Sequence, residues 1–181
     1  MRLRLALIWL IGCILTAAPA FSAVTVFLTR HAERAGEMGE DPPLTPGGRE
    51  RAELLARMLT DAGIREIFVT EYKRTQETAA PLARKLQIAP RQLAGKENGP
   101  LVKAIRGMKR GAALVVGHSN TLPAVIAALG GPAVKIEDDE YDNLFVLTIS
   151  GKDVTLVRLR YGAGRPPVRV AGRTGDGFAA D

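Results

Sequence analysis

The chain has 181 residues, 46% of them apolar and 24% charged, which fits one ordinary globular domain and excludes a disordered chain. The formal net charge is +6, part of it from Arg2 and Arg4 at the extreme N-terminus, and no dense lysine/arginine run with interleaved aromatics is present. That argues against a nucleic-acid binder, while a mildly positive surface suits an anionic small molecule.

Residues 1–23 read as an export signal peptide. Arg2 and Arg4 form its basic start, Leu5 to Leu15 its apolar stretch, and Ala18-Pro19-Ala20 its small-residue cleavage site. Cleavage after Ala20 is favoured over cleavage after Ala23, which would set Phe21 where a small side chain is needed. Two other readings stay open. Leu10-Ile11-Gly12-Cys13 is similar to the lipobox of bacterial lipoproteins, which would leave Cys13 lipidated; or the apolar run stays uncleaved as an anchor, near the short limit for a span. The expected location is the periplasm, with membrane contact only through a lipidated Cys13 or an uncleaved segment. Cys13 is the only cysteine, so the exported domain relies on its core alone, without disulfides.

The domain is expected over residues 24–161. Val24-Thr25-Val26-Phe27-Leu28 is a short apolar run, read as a buried strand leading into Thr29-Arg30-His31. Residues 35–43 are a Gly/Pro/acid loop, and Thr45-Pro46 supplies an N-cap with proline at the first helical position. That helix carries Ala52, Leu55, Met58, Leu59 and Ala62 on one face and stops at Gly63. Ile67-Phe68-Val69 is a second strand. Helical spacing resumes from Thr75 to Leu86, with a kink expected at Pro81.

Residues 87–100 read as irregular, and Leu101 to Lys109 as helix. Ala113-Leu114-Val115-Val116 is a third strand ending at Gly117-His118, Thr121 to Leu129 a small helix, and 143–149 with 154–160 a hairpin. Alternating strands and helices, with continuously apolar strands, predict a three-layer α/β/α domain around a mostly parallel sheet. The Gly/Pro/Arg-rich residues 162–181 read as a disordered tail.

The three apolar strands each end in residues that can hold a phosphate: Arg30-His31, Arg74 just past the second, and His118-Ser119-Asn120. Open α/β sheets bind ligands at the carboxyl ends of their strands, so these remote residues are expected to meet. Two of the turns lead into helices, whose amides also favour an anion. Both histidines of the chain fall at such positions.

These residues resemble a known pattern. Thr29-Arg30-His31-Ala32-Glu33 is similar to the Arg-His-Gly-Glu signature of the histidine phosphatase (phosphoglycerate-mutase-like) superfamily, with Ala32 in place of the glycine. Asp41-Pro42-Pro43-Leu44-Thr45-Pro46-Gly47 resembles the family's Pro-Leu-Thr-x-x-Gly region. Arg74-Thr75-Gln76-Glu77-Thr78-Ala79 resembles its Arg-Thr-x-x-Thr-Ala motif, and Gly117-His118-Ser119-Asn120 stands where its second histidine does.

The resemblance implies a phosphoglycerate-mutase-like fold and a phosphatase acting on a small phosphomonoester, without metal or other cofactor. It casts His31 as nucleophile and Arg30, Arg74 and His118 as ligands of the phosphoryl oxygens. The proton donor is expected to be Glu97, the carboxylate nearest the family's usual position, with Glu140 and Asp142 as competitors. Asp138-Asp139-Glu140 reads as a solvated turn rather than a metal site, because three consecutive acids do not face one point. Glu33 is either an orienting group or a solvated loop carboxylate. Two other functions are weighed against the phosphatase: a non-catalytic phosphate- or phosphosugar-binding module, and a protein-phosphohistidine phosphatase.

Overall fold

The computed structural model describes residues 23–36, 39 and 41–163. The residues read as an export signal lie outside this set save for Ala23, and so do those beyond Ala163 that were read as a tail.

The chain folds into a six-stranded sheet with helices on both faces. In chain order the elements are β1 (Val24–Arg30), α1 (Pro46–Leu59), β2 (Ile64–Val69), α2 (Lys73–Leu86), β3 (Arg91–Gln92), α3 (Asn98–Gly107), β4 (Gly111–Gly117), α4 (Leu122–Ala128), β5 (Asn143–Ser150) and β6 (Asp153–Arg160). The sheet order is β3-β2-β4-β1-β5-β6. Strands β3, β2, β4 and β1 run parallel, while β5 pairs antiparallel with both β1 and β6. The sheet is thus mostly parallel, as expected, and the hairpin continues it beyond β1.

Side-chain alternation along the central strands divides the core. Ala112, Leu114 and Val116 of β4 join Leu55 and Leu59 of α1 and Ala79 and Leu82 of α2 on one face. Ala113 and Val115 join Val26 and Leu28 of β1, Leu101 and Ile105 of α3, and Leu122 and Ile126 of α4 on the other. Each buried valine, leucine or isoleucine among them contributes about 1.5–3 kcal/mol of apolar transfer. Continuous apolar strands are what a sheet covered on both sides requires.

Local chemistry sets the boundaries. The Thr45 hydroxyl accepts the Gly48 amide at 3.0 Å and Pro46 fills the first turn of α1, as expected. Gly48 lies against the backbone that follows β1: a Cβ there would stand 2.2 Å from the Glu33 carbonyl oxygen. Helix α2 runs through Pro81 as one element of 14 residues, so the proline does not interrupt it. The segment read as irregular holds the two-residue strand β3 and the start of α3, three residues earlier than expected.

Candidate active site

His31 is the first residue past β1, and its amide extends the β1/β4 ladder by donating to the Gly117 carbonyl at 2.9 Å. Its ring Nδ1 lies 2.8 Å from the Ala32 carbonyl oxygen. A carbonyl only accepts, so Nδ1 carries the proton and Nε2 of the neutral ring keeps its lone pair. Burial, aided by Arg30, His118 and Arg74, lowers the pKa to about 3. The ring is a neutral base near pH 7.

His118 follows β4 directly, and its ring centroid stands 5.4 Å from that of His31. Burial, then Arg74, brings its pKa to about 4. A chain of hydroxyls fixes its tautomer. Thr75 Oγ1 lies 2.8 Å from the Tyr72 carbonyl and must donate there. It then accepts from the Thr70 hydroxyl at 3.0 Å. Thr70, its own proton committed, accepts from His118 Nε2 at 3.1 Å. Nε2–H of His118 is therefore the donor into the protein, and Nδ1 is the second ring nitrogen.

Arg30 is held without a carboxylate. Its Nη1 donates to the carbonyls of Glu137 and Asp138, its Nη2 donates to the Tyr141 hydroxyl at 3.4 Å, and its guanidinium stacks 4.1 Å over the Tyr141 ring. Arg74, from the first turn of α2, stacks 4.1 Å over Tyr72 and stands 3.7 Å from Asp41. The Nε atoms of both arginines are buried with no hydrogen-bond partner. Burial, then the charge of Arg34, lowers the pKa of Arg74. Planar guanidinium groups with donors to spare beside a neutral imidazole form a receptor for a tetrahedral oxyanion.

These four side chains line one open cavity of about 450 Å³ at the carboxyl ends of the strands. Arg34 and Lys96 add positive charge to its wall, and Asp138 is the one carboxylate among the lining residues. The family model for the histidine phosphatase superfamily (branch 1) matches residues 26–95.

Over that stretch the chain is similar to the histidine phosphatase superfamily.

Over 64 residues it is 38% identical to 6-phosphofructo-2-kinase/fructose-2,6-bisphosphatase 4 of Homo sapiens, an alignment covering 32% of this chain and 14% of that one. The same figures hold for the Macaca fascicularis protein of that name. Among solved structures, the protein histidine phosphatase SixA complexed with tungstate superposes with a TM-score of 0.62 at 18% identity, covering 75% of this chain and 96% of that one. A phosphoserine phosphatase mutant from Entamoeba histolytica in complex with phosphoserine gives 0.58 at 11% identity, covering 74% and 94%. At such identities the structural likeness is one of fold.

Against the superfamily pattern read in the sequence, the structure brings together Arg30, His31, Arg74 and His118 but not Glu97. Glu97 is exposed at the N-cap of α3 and does not line the cavity, whereas Gly95 and Lys96 do. Glu140 and Asp142 turn the other way. Glu140 accepts from Arg158 at 3.0 Å and Arg160 at 2.7 Å, and Asp142 accepts from Arg160 at 2.6 Å. Glu33 is part-exposed and outside the cavity: Arg51 grips its carboxylate at 2.7 Å and ties it to α1. Burial opposes the charge of Glu33, but the Arg51 hydrogen bonds prevail and its pKa falls.

The helix amides expected to favour an anion are already engaged at α2, where the Lys73 amide donates to Asp41 at 3.0 Å. Sequence reading did not find Asp138, Tyr72, Tyr141 or the Thr70–Thr75 pair. The acidic run at 138–140 was the available signal for the first, and the Thr-x-x-x-x-Thr spacing around Arg74 for the last.

Proposed function

We propose that the protein is a phosphatase that hydrolyses a phosphomonoester through a phosphohistidine on His31. The observation that carries the reading is the neutral His31 ring, its Nδ1 proton held by Ala32, facing a cavity with arginine donors to spare. Phosphoryl transfer asks a protein chiefly for positioning and for donors to the phosphoryl oxygens. Here Arg30 and Arg74 supply the donors, His118 closes the site, and His31 Nε2 supplies the lone pair. Relatives whose names record phosphatase activity support the reaction class. The anionic small-molecule substrate is supported by the excess of positive charge in the cavity wall.

Export to the periplasm belongs to the same proposal. It rests on the basic and apolar pattern of residues 1–23, and sequencing of the mature N-terminus tests it. An exported enzyme meets phosphorylated envelope sugars, and turnover of a panel of these against nucleotides tests that preference.

The test of the reaction is hydrolysis of 4-nitrophenyl phosphate by the parent protein and by His31→Ala. Release of phosphate is expected from the parent, with a loss of roughly a thousandfold or more in the variant. Tight phosphate binding without turnover by the parent would instead identify a binding module.

A further inference from the structure

The geometry points to Asp138 as the general acid that protonates the leaving oxygen. This rests on the phosphatase reading above and supplies the group that the sequence could not place.

Among the cavity-lining residues Asp138 is the only carboxylate. Neighbouring acids are committed elsewhere: Glu137 to Lys135 at 2.7 Å, Glu140 to Arg158 and Arg160, and Asp142 to Arg160. Asp138 has no ion pair among the described residues. Its Oδ1 accepts from the Ser119 hydroxyl at 2.9 Å, which orients the group from the residue next to His118. Its Oδ2 makes no hydrogen bond among the described residues. The Asp138 carbonyl accepts from Arg30 Nη1, so the main chain of the acid is fastened to a phosphate-gripping arginine.

The anchoring reaches further. Arg158 and Arg160 of β6 hold Glu140, whose carboxylate also receives the Glu137 amide at 3.1 Å. The segment carrying Asp138 and Tyr141 is thus pinned from the sheet edge, at both ends of a short strap. Glu97, by contrast, is exposed outside the cavity, and the Glu71 carboxylate is spent on the Gly95 amide at 2.8 Å.

The Nε2 lone pair of His31 forms the N–P bond while the P–O bond to the leaving group breaks. The electron pair leaves on oxygen, which takes the proton of the Asp138 carboxyl. Water then attacks phosphorus and gives its proton to the Asp138 carboxylate; the P–N pair returns to Nε2, and inorganic phosphate departs.

The experiment compares kcat/KM of the parent, Asp138→Asn, Glu97→Gln and Glu71→Gln across aryl phosphates, from 2,4-dinitrophenyl to phenyl phosphate, and a simple alkyl phosphate. An activated leaving group departs without a proton, whereas phenoxide and alkoxide do not. Asp138→Asn is expected to lose about a hundredfold more on phenyl and alkyl phosphates than on the dinitrophenyl ester, steepening the dependence on leaving-group pKa. A uniform loss across the series, or a steepening confined to Glu97→Gln or Glu71→Gln, overturns the assignment. Asp138 is exposed, so the substitution spares the core, and retained binding of inorganic phosphate checks that the pocket is intact. A parent protein that turns over no ester in the series defeats the phosphatase reading itself, which is a separate outcome.

Discussion

The Nδ1 atom of His31 donates to the carbonyl of its own neighbour, Ala32, at 2.8 Å, which leaves the far nitrogen of a neutral ring facing the cavity. One local contact thereby selects the tautomer that a nucleophile needs, and burial keeps the second proton away. Imidazole nitrogen shifts in 15N-labelled protein should show a protonated Nδ1 and a bare Nε2 throughout pH 5 to 8. A ring that titrates near 6.5 contradicts this.

The hydroxyl chain from Thr75 through Thr70 to His118 makes a second prediction. Thr70→Val removes the acceptor of His118 Nε2 and leaves a buried N–H unpaired, costing about 1–3 kcal/mol of stability. The freed ring loses its fixed orientation in the cavity wall. We expect kcat for 4-nitrophenyl phosphate to drop about tenfold or more, with Thr70→Ser restoring most of it. Equal activity in Thr70→Val and Thr70→Ser would show that the chain does not position His118.

Stability should depend on pH in a defined sense. His31 and His118 have folded pKa values near 3 and 4, below the 6.5 of a free histidine. Between those limits the unfolded chain binds more protons, so stability is complete above about 6.5 and falls as the pH drops toward 3–4. The slope is about 1.4 kcal/mol per pH unit for each histidine once well below 6.5. Glu140, held near 2 by Arg160 and its other hydrogen-bond donors against the pull of burial, adds to the loss at the acid end. Denaturant titrations from pH 7 to 4 measure this. His31→Gln should flatten the slope by one histidine's share, and an unchanged slope rejects the assignment.

Gly48 is a packing constraint. A Cβ at this position would meet the Glu33 carbonyl at 2.2 Å, and that carbonyl already receives the Thr45 amide at 2.9 Å. Neither side can yield without moving α1 away from the turn after His31. Gly48→Ala should therefore destabilise despite the helix preference of alanine, by about 1–3 kcal/mol. Thermal melting reads the difference, with Gly47→Ala as control, because a Cβ at Gly47 would meet only Thr45 Oγ1, at 4.0 Å.

Much of this was visible in the sequence because its signals are side chains. Continuous apolar runs marked β1, β2 and β4, and what stands just past their ends, Arg30-His31, Arg74 and His118, marked the site. The strap at 137–142 left no such trace. It is polar coil without periodicity, and beside the Tyr141 ring and hydroxyl it offers Arg30 backbone carbonyls that any residue would supply. Glu97 was expected from its position along the chain, whereas the fold sets it at the N-cap of α3 and lines the cavity with Gly95 and Lys96 instead. Strand β3, two exposed polar residues, has no hydrophobic pattern to announce it. Helix α3 begins early because Pro100 is tolerated in a first turn.

The most direct test is to mix the protein with an activated aryl phosphate, quench during turnover under alkaline conditions, and map the phosphoryl group by peptide mass spectrometry. The account predicts an acid-labile, base-stable phosphoryl group on the peptide containing His31, bonded through Nε2 and absent from His31→Ala. Steady turnover with no phosphoryl group on that peptide, or with the group on another residue, would contradict it.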